Sequence, residues 1–236
     1  MQRLEDVKNN ILSVIACVAM TLMMVSCGEE DEPIVKYEPT IDEYGICIDQ
    51  EVDLGLSVKW AGWNIGATSP EGYGGYYAWG EIEEKDCYDC NTYAFWTDID
   101  GNGYPDKGEY AHIGDNISGT QYDVATQKWG DSWRMPTLAE FGELYALCKW
   151  EYFKYKGVYG QKVTGPNGVS IFLPYAGEMI GERFNLDNLM GWYWTSTLAS
   201  VSHGISSWSI RLGNGHNYQQ GASTREFGHT VRAVKN

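Results

Sequence analysis

The stretch Trp133-Arg-Met-Pro-Thr-Leu-Ala-Glu-Phe-Gly-Glu-Leu-Tyr-Ala-Leu-Cys148 carries the clearest helix signal in the chain. Thr137 and Glu140 have the spacing of a capping box, in which the threonine oxygen accepts from the Glu140 N–H and the glutamate reaches back to the Thr137 N–H. Apolar side chains then recur at three-to-four spacing, namely Leu138, Phe141, Leu144, Tyr145 and Cys148. The pattern predicts a helix over 138–148 with this face inward.

After Trp150 the helix period disappears and the pattern becomes that of short strands. Residues 161–173 predict a hairpin around Gly165-Pro-Asn-Gly168, because proline presets one turn angle and Asn and Gly tolerate positive φ. Further strands are predicted at 52–60, 191–197, 206–212 and 229–234, and a second short helix at 122–129. The expected fold class is therefore α+β, an antiparallel meandering sheet with one or two helices.

The first 26 residues predict a lipoprotein signal peptide. Arg3 and Lys8 precede an apolar run over 11–25 that has the length of a signal-peptide core and is too short for a comfortable membrane span. The run ends in Met24-Val-Ser-Cys27, which resembles the lipobox of bacterial lipoproteins. We therefore expect Cys27 to be acylated, and this lipid anchor to be the protein's attachment to a membrane.

An acidic tether is predicted over 27–50, because the segment is too charged and too poor in apolar residues to pack. Its start, Gly28-Glu-Glu-Asp-Glu-Pro33, resembles the export signal that sends lipoproteins of Bacteroidetes-type bacteria to the outer face of the outer membrane. A generic solvated linker explains the same charges. The expected domains are thus signal peptide (1–26), tether (27–50) and folded domain (51–236), displayed outward from the outer membrane.

Composition bounds the partners of the folded domain. The formal net charge of −15 argues against nucleic acid, since phosphate binding requires a basic surface. Four cysteines remain outside the signal peptide and the lipid site, Cys47, Cys87, Cys90 and Cys148, and disulfides are open to them outside the cytoplasm. Cys87 and Cys90 have redox or zinc spacing, but without a second CxxC or a nearby His we favour a local disulfide or free thiols.

Residues 98–109 match the spacing of a calcium loop. Oxygen-bearing side chains fall at positions 1, 3, 5, 9 and 12, and Gly103 at position 6 allows the sharp turn. The predicted ligands of one Ca²⁺ are the side chains of Asp98, Asp100, Asn102, Asp106 and Glu109 and the carbonyl of Tyr104. The same residue types also form ordinary acidic surface turns, so that alternative stays open.

Ordered motif blocks run through the whole predicted domain: Val52-Asp-Leu-Gly-Leu56, Trp60-Ala61, Asn64-Ile-Gly-Ala67, Tyr76-Tyr-Ala-Trp-Gly-Glu81, Trp133-Arg-Met-Pro-Thr137, Val163-Thr-Gly-Pro-Asn-Gly168, Tyr193-Trp-Thr-Ser-Thr197 and Phe227-Gly-His-Thr-Val-Arg-Ala-Val234. They resemble the Fibrobacter succinogenes major paralogous domain family. The resemblance implies a C-type-lectin-like fold, related to the formylglycine-generating enzyme scaffold, in a surface lipoprotein. It implies no catalytic residue. Residues 85–120, which hold the CxxC and the calcium-like loop, replace the segment usual in the family.

The expected function is a non-catalytic surface module that binds glycan or protein through aromatic side chains, with Tyr73, Tyr76, Trp96 and Tyr218 as candidates. An enzyme is not expected, because His112, His203, His216 and His229 show no metal spacing and no nucleophile motif is present. Two alternatives remain, a structural or assembly role in the cell envelope and an enzyme on the formylglycine-generating-enzyme-like scaffold.

Overall fold

Small antiparallel sheets dominate the chain in a computed structural model, which describes residues 38–101, 108–185, 188–199, 204–213 and 216–236. Within these ranges there are two α-helices, α1 (Val124–Trp129) and α2 (Leu138–Leu147), and a 3-10 helix (Cys90–Thr92). The strands are β1 (Glu51–Val52), β2 (Lys59–Ala61), β3 (Trp96–Asp98), β4 (Gly108–Tyr110), β5 (Trp133–Arg134), β6 (Lys149–Tyr155), β7 (Val158–Thr164), β8 (Ser170–Pro174), β9 (Glu178–Ile180), β10 (Arg183–Asn185), β11 (Met190–Leu198), β12 (Ser206–Gly213), β13 (His216–Thr224) and β14 (Val234–Lys235).

The described strands form two three-stranded meanders, one four-stranded sheet and two two-stranded sheets, β3-β4 and β9-β10. β6-β7-β8 and β11-β12-β13 each follow chain order, as neighbouring antiparallel strands joined by short connections do. The four-stranded sheet has the order β1-β2-β14-β5, so the last strand pairs with strands near the domain's start and middle. The expected α+β class with antiparallel sheets and two helices is confirmed at this level.

The predicted capping box and helix are confirmed in α2. Thr137 Oγ1 accepts from the Glu140 N–H at 3.2 Å, and Glu140 Oε2 accepts from the Thr137 N–H at 2.7 Å. Of the predicted inward face, Phe141 and Leu144 are buried and Leu138 and Cys148 are partly buried, but the prediction was wrong for Tyr145, which is 48% exposed and stacks on Tyr218. The Phe141 ring lies 5.0 Å from the Trp60 ring and 6.4 Å from the Tyr193 ring of β11. The helix therefore packs on an antiparallel sheet, as expected.

The predicted hairpin is also confirmed, as β7 and β8. Gly165 donates its N–H to the Val169 carbonyl at 2.8 Å, and Gly168 has φ +85°, which a residue without a Cβ adopts without strain. The short helix predicted at 122–129 is observed as α1.

Three strand predictions need correction. Residues 52–60 are not one strand, because a turn at Gly55 (φ +75°) separates β1 from β2. The segment 229–234 makes isolated bridges at His229 and Thr230 and becomes a strand only at Val234. No strand was predicted over 216–224, yet the nine-residue β13 lies there and is stabilised by its pairing with β12.

The compact unit that contains the domain runs from Pro39 to Asn236, so it begins before residue 51. Ile46 and Cys47 are fully buried, and Asp42 accepts a hydrogen bond from Tyr155 at 2.5 Å. Residues 39–50 therefore pack on the domain instead of extending from it, which shortens the expected tether. Residues 1–37, with the predicted signal peptide and Cys27, lie outside the described residues. None of the helices in the described part is long and apolar enough to cross a membrane.

Candidate functional site

An open cleft of about 690 Å³ lies between the loop that follows Trp79 and the start of α1. Its lining combines two aromatic rings with carboxylates, amides and a lysine: Gly80, Glu81, Ile82, Glu83, Glu84, Lys85, Thr92, Ala94, Phe95, Gln121, Tyr122 and Gln127. The volume is in the range of clefts that hold small-molecule ligands, roughly 300–1,000 Å³.

The aromatic floor of the cleft is held by edge-to-face contacts. The Phe95 ring lies 5.3 Å from the Tyr122 ring at an interplanar angle of 88°, and 5.5 Å from Tyr93 at 81°. Gly80 has φ +89°, and a Cβ there would lie 2.4 Å from Ile113 Cδ1 and 3.2 Å from Phe95. A glycine therefore lets the chain pass directly beside the floor.

The carboxylate of Glu81 fixes one wall of the cleft. It accepts a hydrogen bond from the Ala94 N–H at 2.7 Å and pairs with Lys85 Nζ at 2.8 Å. Lys85 in turn donates to the Thr92 carbonyl at 3.0 Å. These contacts join residues 81–85 to residues 92–94. The polar groups of this wall therefore keep a defined position.

The opposite wall is set by the buried carboxylate of Asp123, the N-cap of α1. Its oxygens accept from the N–H groups of Ala125 at 2.8 Å, Thr126 at 3.2 Å, Gly119 at 2.8 Å and Met135 at 2.8 Å. Burial raises the pKa of this carboxyl, and the four N–H donors oppose that shift. The cap fixes the start of α1, which presents Tyr122 and Gln127 to the cleft.

The rim of the cleft is acidic. Glu83 pairs with Lys128 at 2.6 Å, while Glu84, Gln121 and Gln127 are exposed. Carboxylates accept hydrogen bonds from hydroxyl groups, amides both donate and accept them, and the aromatic floor offers an apolar surface. The arrangement therefore suits a neutral or cationic polar ligand with an apolar face better than an anion.

Comparisons with protein-family models, with curated proteins and with solved structures found no match.

None of the four aromatic residues predicted to bind ligand lines the cleft. Tyr73 and Tyr76 surround the half-exposed Phe184, with ring centroids at 6.3 and 5.3 Å. Tyr218 stacks on Tyr145 at 4.3 Å, and Trp96 packs against a buried cluster. Tyr76 packs against the same buried cluster as Trp96, whereas Tyr218 packs against the main core, so the four residues do not form one site.

The sequence reasoning missed Phe95 and Tyr122, the residues that form the cleft floor. Phe95 directly precedes the candidate Trp96, and Glu81 ends one of the motif blocks quoted above. These positions gave a weak local signal, but Phe95 lies in the turn before β3 and meets Tyr122 only through the tertiary fold.

The predicted calcium loop is described only in part. Asn102, Tyr104 and Asp106 lie outside the described residues, and Asp98, Asp100 and Glu109 lie within them. Asp98 pairs with Gly108 and Thr97 with Glu109 in the β3–β4 ladder, so the pleat directs Asp98 and Glu109 to opposite faces. No group of three or more potential His, Cys, Asp or Glu ligands occurs in the part of the chain that the structure describes. Calcium binding stays a prediction.

The buried His229 carries a polar cluster beside the sheet β11–β13. Its Nε2 lies 3.2 Å from Glu178 Oε2 and 3.3 Å from Ser223 Oγ. A serine nucleophile activated by a histidine–carboxylate pair uses both ring nitrogens, whereas here the hydroxyl and the carboxylate meet the same one. Burial lowers the pKa of His229, and Glu178 opposes that shift. The geometry is that of a structural contact.

The remaining cysteines and histidines form no joint site in the described residues. Cys47, Cys87, Cys90 and Cys148 form no disulfide within the described part of the chain. Burial raises the pKa of the Cys148 thiol to about 11, which disfavours the reactive thiolate. His112 is exposed near Asp115, at 3.9 Å, and His203 lies outside the described residues.

Proposed function

We propose that this protein is a cell-surface lipoprotein whose folded domain is a non-catalytic module that binds glycan in the cleft. The observation that carries the proposal is the combination, in one open cleft of about 690 Å³, of an aromatic floor with a hydrogen-bonding rim. Sugar rings present apolar C–H faces and polar hydroxyl edges, and the cleft offers a matching surface to each.

The side chains of the cleft are already held in place before a ligand binds, which supports a binding role. Glu81 and Glu83 are engaged by Lys85 and Lys128 at 2.8 and 2.6 Å, so ligand binding immobilises few additional side chains. Exposed Gln121 and Gln127 supply both donors and acceptors for hydroxyl groups.

The proposal also includes the type of fold and the cellular location of the protein. The ordered motif blocks support a C-type-lectin-like domain of the Fibrobacter succinogenes major paralogous type, and the α+β architecture with antiparallel sheets is compatible with it. The lipobox-like segment ending at Cys27 and the acidic run after it support a lipid anchor and an outward-facing position on the outer membrane.

A glycan array probed with residues 28–236, which omit the predicted signal peptide, tests the proposal. We expect binding to one class of neutral glycans and loss of that binding in Phe95→Ala and in the double variant Gln121→Ala/Gln127→Ala. Each replaced group lines the cleft, and the two glutamines are exposed, so their removal leaves the fold intact.

Tyr152→Ala is the matched control, because Tyr152 is an exposed aromatic residue on β6 (47% exposed) that does not line the cleft. It should bind like the unchanged protein. An array without any signal, or equal binding by the cleft variants and the unchanged protein, would reject the glycan function and favour the protein-partner or envelope-assembly alternative.

A further inference from the structure

A second, smaller pocket lies on the sheet β11–β13, and it differs from the cleft in charge. Its volume is about 150 Å³, and its lining is Trp192, Ser209, Arg211, Gln219, Gln220, Gly221, Ala222 and Ser223. We call it the Arg211 pocket. It shares no lining residue with the cleft. It is below the roughly 300–1,000 Å³ of pockets for larger ligands, so it suits one small group or one sugar residue.

Strand register brings most of the polar side chains of this pocket to one face of the sheet, while Gln220 pairs with Ile210 on the other face. Trp192 pairs with Arg211, Arg211 pairs with Gln219, and Ser209 pairs with Gly221. Since paired residues project to the same face, these groups converge on one side of the sheet. The opposite face is apolar and packs into the main core through Tyr193, Ile210 and Leu212.

Arg211 gives the pocket its charge. Among the described residues that line it, Arg211 is the cation and none is acidic. Its guanidinium contacts the side-chain oxygen of Gln219, and no carboxylate pairs with it in the described part of the chain. An arginine that meets only an amide retains donors for a planar anion, and a guanidinium binds a carboxylate with two parallel hydrogen bonds. Although the chain has a net charge of −15, the lining of this pocket is therefore positively charged.

The wall and floor of the pocket supply neutral polar groups. Ser223 lies in the lining and contacts His229 Nε2 at 3.3 Å, while Ser207, paired with Ser223, is fully buried. Ser207 Oγ and His229 Nδ1 are buried without a hydrogen-bond partner among the described residues. Both residues are fully enclosed and do not line the pocket, so the hydroxyl groups available to an occupant are those of Ser209 and Ser223. Glu178, behind the floor, is held by His229 at 3.2 Å.

We propose that the Arg211 pocket binds one carboxylate-bearing sugar residue, with the carboxylate on Arg211 and the sugar hydroxyls on Ser209, Ser223 and Gln219. The serine hydroxyls and the Gln219 amide provide donors and acceptors for hydroxyl groups, and Trp192 provides an apolar wall. The inference stands independently of glycan binding in the cleft, whose acidic rim suits a different ligand.

Isothermal titration of the purified full chain with glucuronate, glucose and acetate tests this inference. Glucuronate and glucose differ at one carbon, and acetate presents the carboxylate alone. We expect glucuronate to bind about tenfold or more tightly than either, because the sugar body and the charge each add contacts. Arg211→Gln should lose about tenfold or more of the glucuronate affinity, and Arg211→Lys should lose less because it keeps the charge.

Arg183→Gln removes the same charge from an exposed arginine of β10 and should leave the affinity unchanged. Phe95→Ala, which alters the cleft floor, should also bind glucuronate normally, and this separates the two sites. Melting temperatures of all variants check that folding is intact. Equal affinity for glucuronate and glucose, or equal loss in Arg211→Gln and Arg183→Gln, would overturn the assignment. Acetate as tight as glucuronate would overturn the sugar part, leaving a simple anion pocket.

Discussion

The imidazole of His229 stacks on the indole of Trp194, with ring centroids 4.1 Å apart and ring planes inclined by 27°. Both side chains are fully buried. The stack joins the segment before β14 to the sheet β11–β13, and the His229 Nε2 contacts to Glu178 and Ser223 join a further strand to it. One neutral histidine therefore ties together three parts of the fold that are distant in sequence.

Protonation of His229 should destabilise the fold as the pH falls. Burial lowers its pKa below the ordinary 6.5, so below about pH 6.5 the unfolded chain takes up a proton that the folded chain resists. This histidine should lower the free energy of unfolding by up to about 1.4 kcal/mol for each unit that the pH falls. Urea unfolding at about pH 7.5 and 5.5 measures it.

His229→Gln is the comparison for that measurement, since an amide donates to Glu178 but does not titrate. At about pH 7.5 the variant should be less stable than the unchanged protein. Its free energy of unfolding should change less between the two pH values. Staying above about pH 5 limits the contribution of carboxylates, whose unfolded pKa values are near 4. Parallel pH profiles for the two proteins would mean that His229 does not govern the acid sensitivity.

Replacing Gly74 with alanine should destabilise the domain more than replacing Gly119. Both have positive φ, +76° and +73°, so each alanine costs about 1–2 kcal/mol for its backbone conformation. A Cβ at Gly74 would also lie 2.3 Å from the Ile65 carbonyl oxygen, whereas nothing lies within 4 Å at Gly119. We expect roughly 1–3 kcal/mol of additional loss for Gly74→Ala. Equal losses in chemical denaturation would show that the Gly74 backbone relaxes.

Thr137→Ala should reduce stability by about 0.5–2 kcal/mol, because it removes the oxygen that caps α2. Thr137→Ser keeps that oxygen and should retain most of the stability. Denaturation midpoints of the two variants give the comparison. If serine and alanine are equally destabilising, the contribution of Thr137 comes from its methyl group and not from the cap.

Cys27→Ala should release the protein from the membrane fraction, because the predicted acyl chains are its anchor. Fractionation of cells that produce each form is the measurement. Protease shaving of intact cells then tests the outward orientation of the unchanged protein. Membrane association of the alanine variant would contradict the lipoprotein assignment, and resistance to shaving would contradict surface display alone.

Residues 98–109 should bind one Ca²⁺ weakly, with a dissociation constant on the order of 10⁻⁴–10⁻³ M. Since Asp98 and Glu109 leave opposite faces of the β3–β4 hairpin, ligation by both would have to open its last pairs, which lowers affinity. Titration calorimetry should give heat with Ca²⁺ and less with Mg²⁺, which demands a smaller octahedral shell. Glu109→Gln should weaken binding. No heat from the unchanged protein, or the same heat from it and from Glu109→Gln, would show that residues 98–109 form an acidic turn and not a calcium site.

Local signals in the sequence determined the elements whose stabilising contacts are close in the chain. The Thr137–Glu140 box determined the start of α2, and Gly165-Pro-Asn-Gly168 determined the β7–β8 turn. Both depend on hydrogen bonds over a few residues and on backbone angles that particular residue types favour. From these elements and the strand pattern, the α+β class followed.

Only the tertiary structure decided which side chains share a site. The cleft and the packing of Ile46 depend on partners distant in sequence, such as Phe95 with Tyr122. β13 and the Arg211 pocket depend on the pairing of neighbouring strands, which sets Arg211 opposite Gln219. A one-residue change of register would send each such side chain to the other face. Residue type alone therefore identified aromatic and charged candidates, while strand pairing and packing selected those that face a cleft.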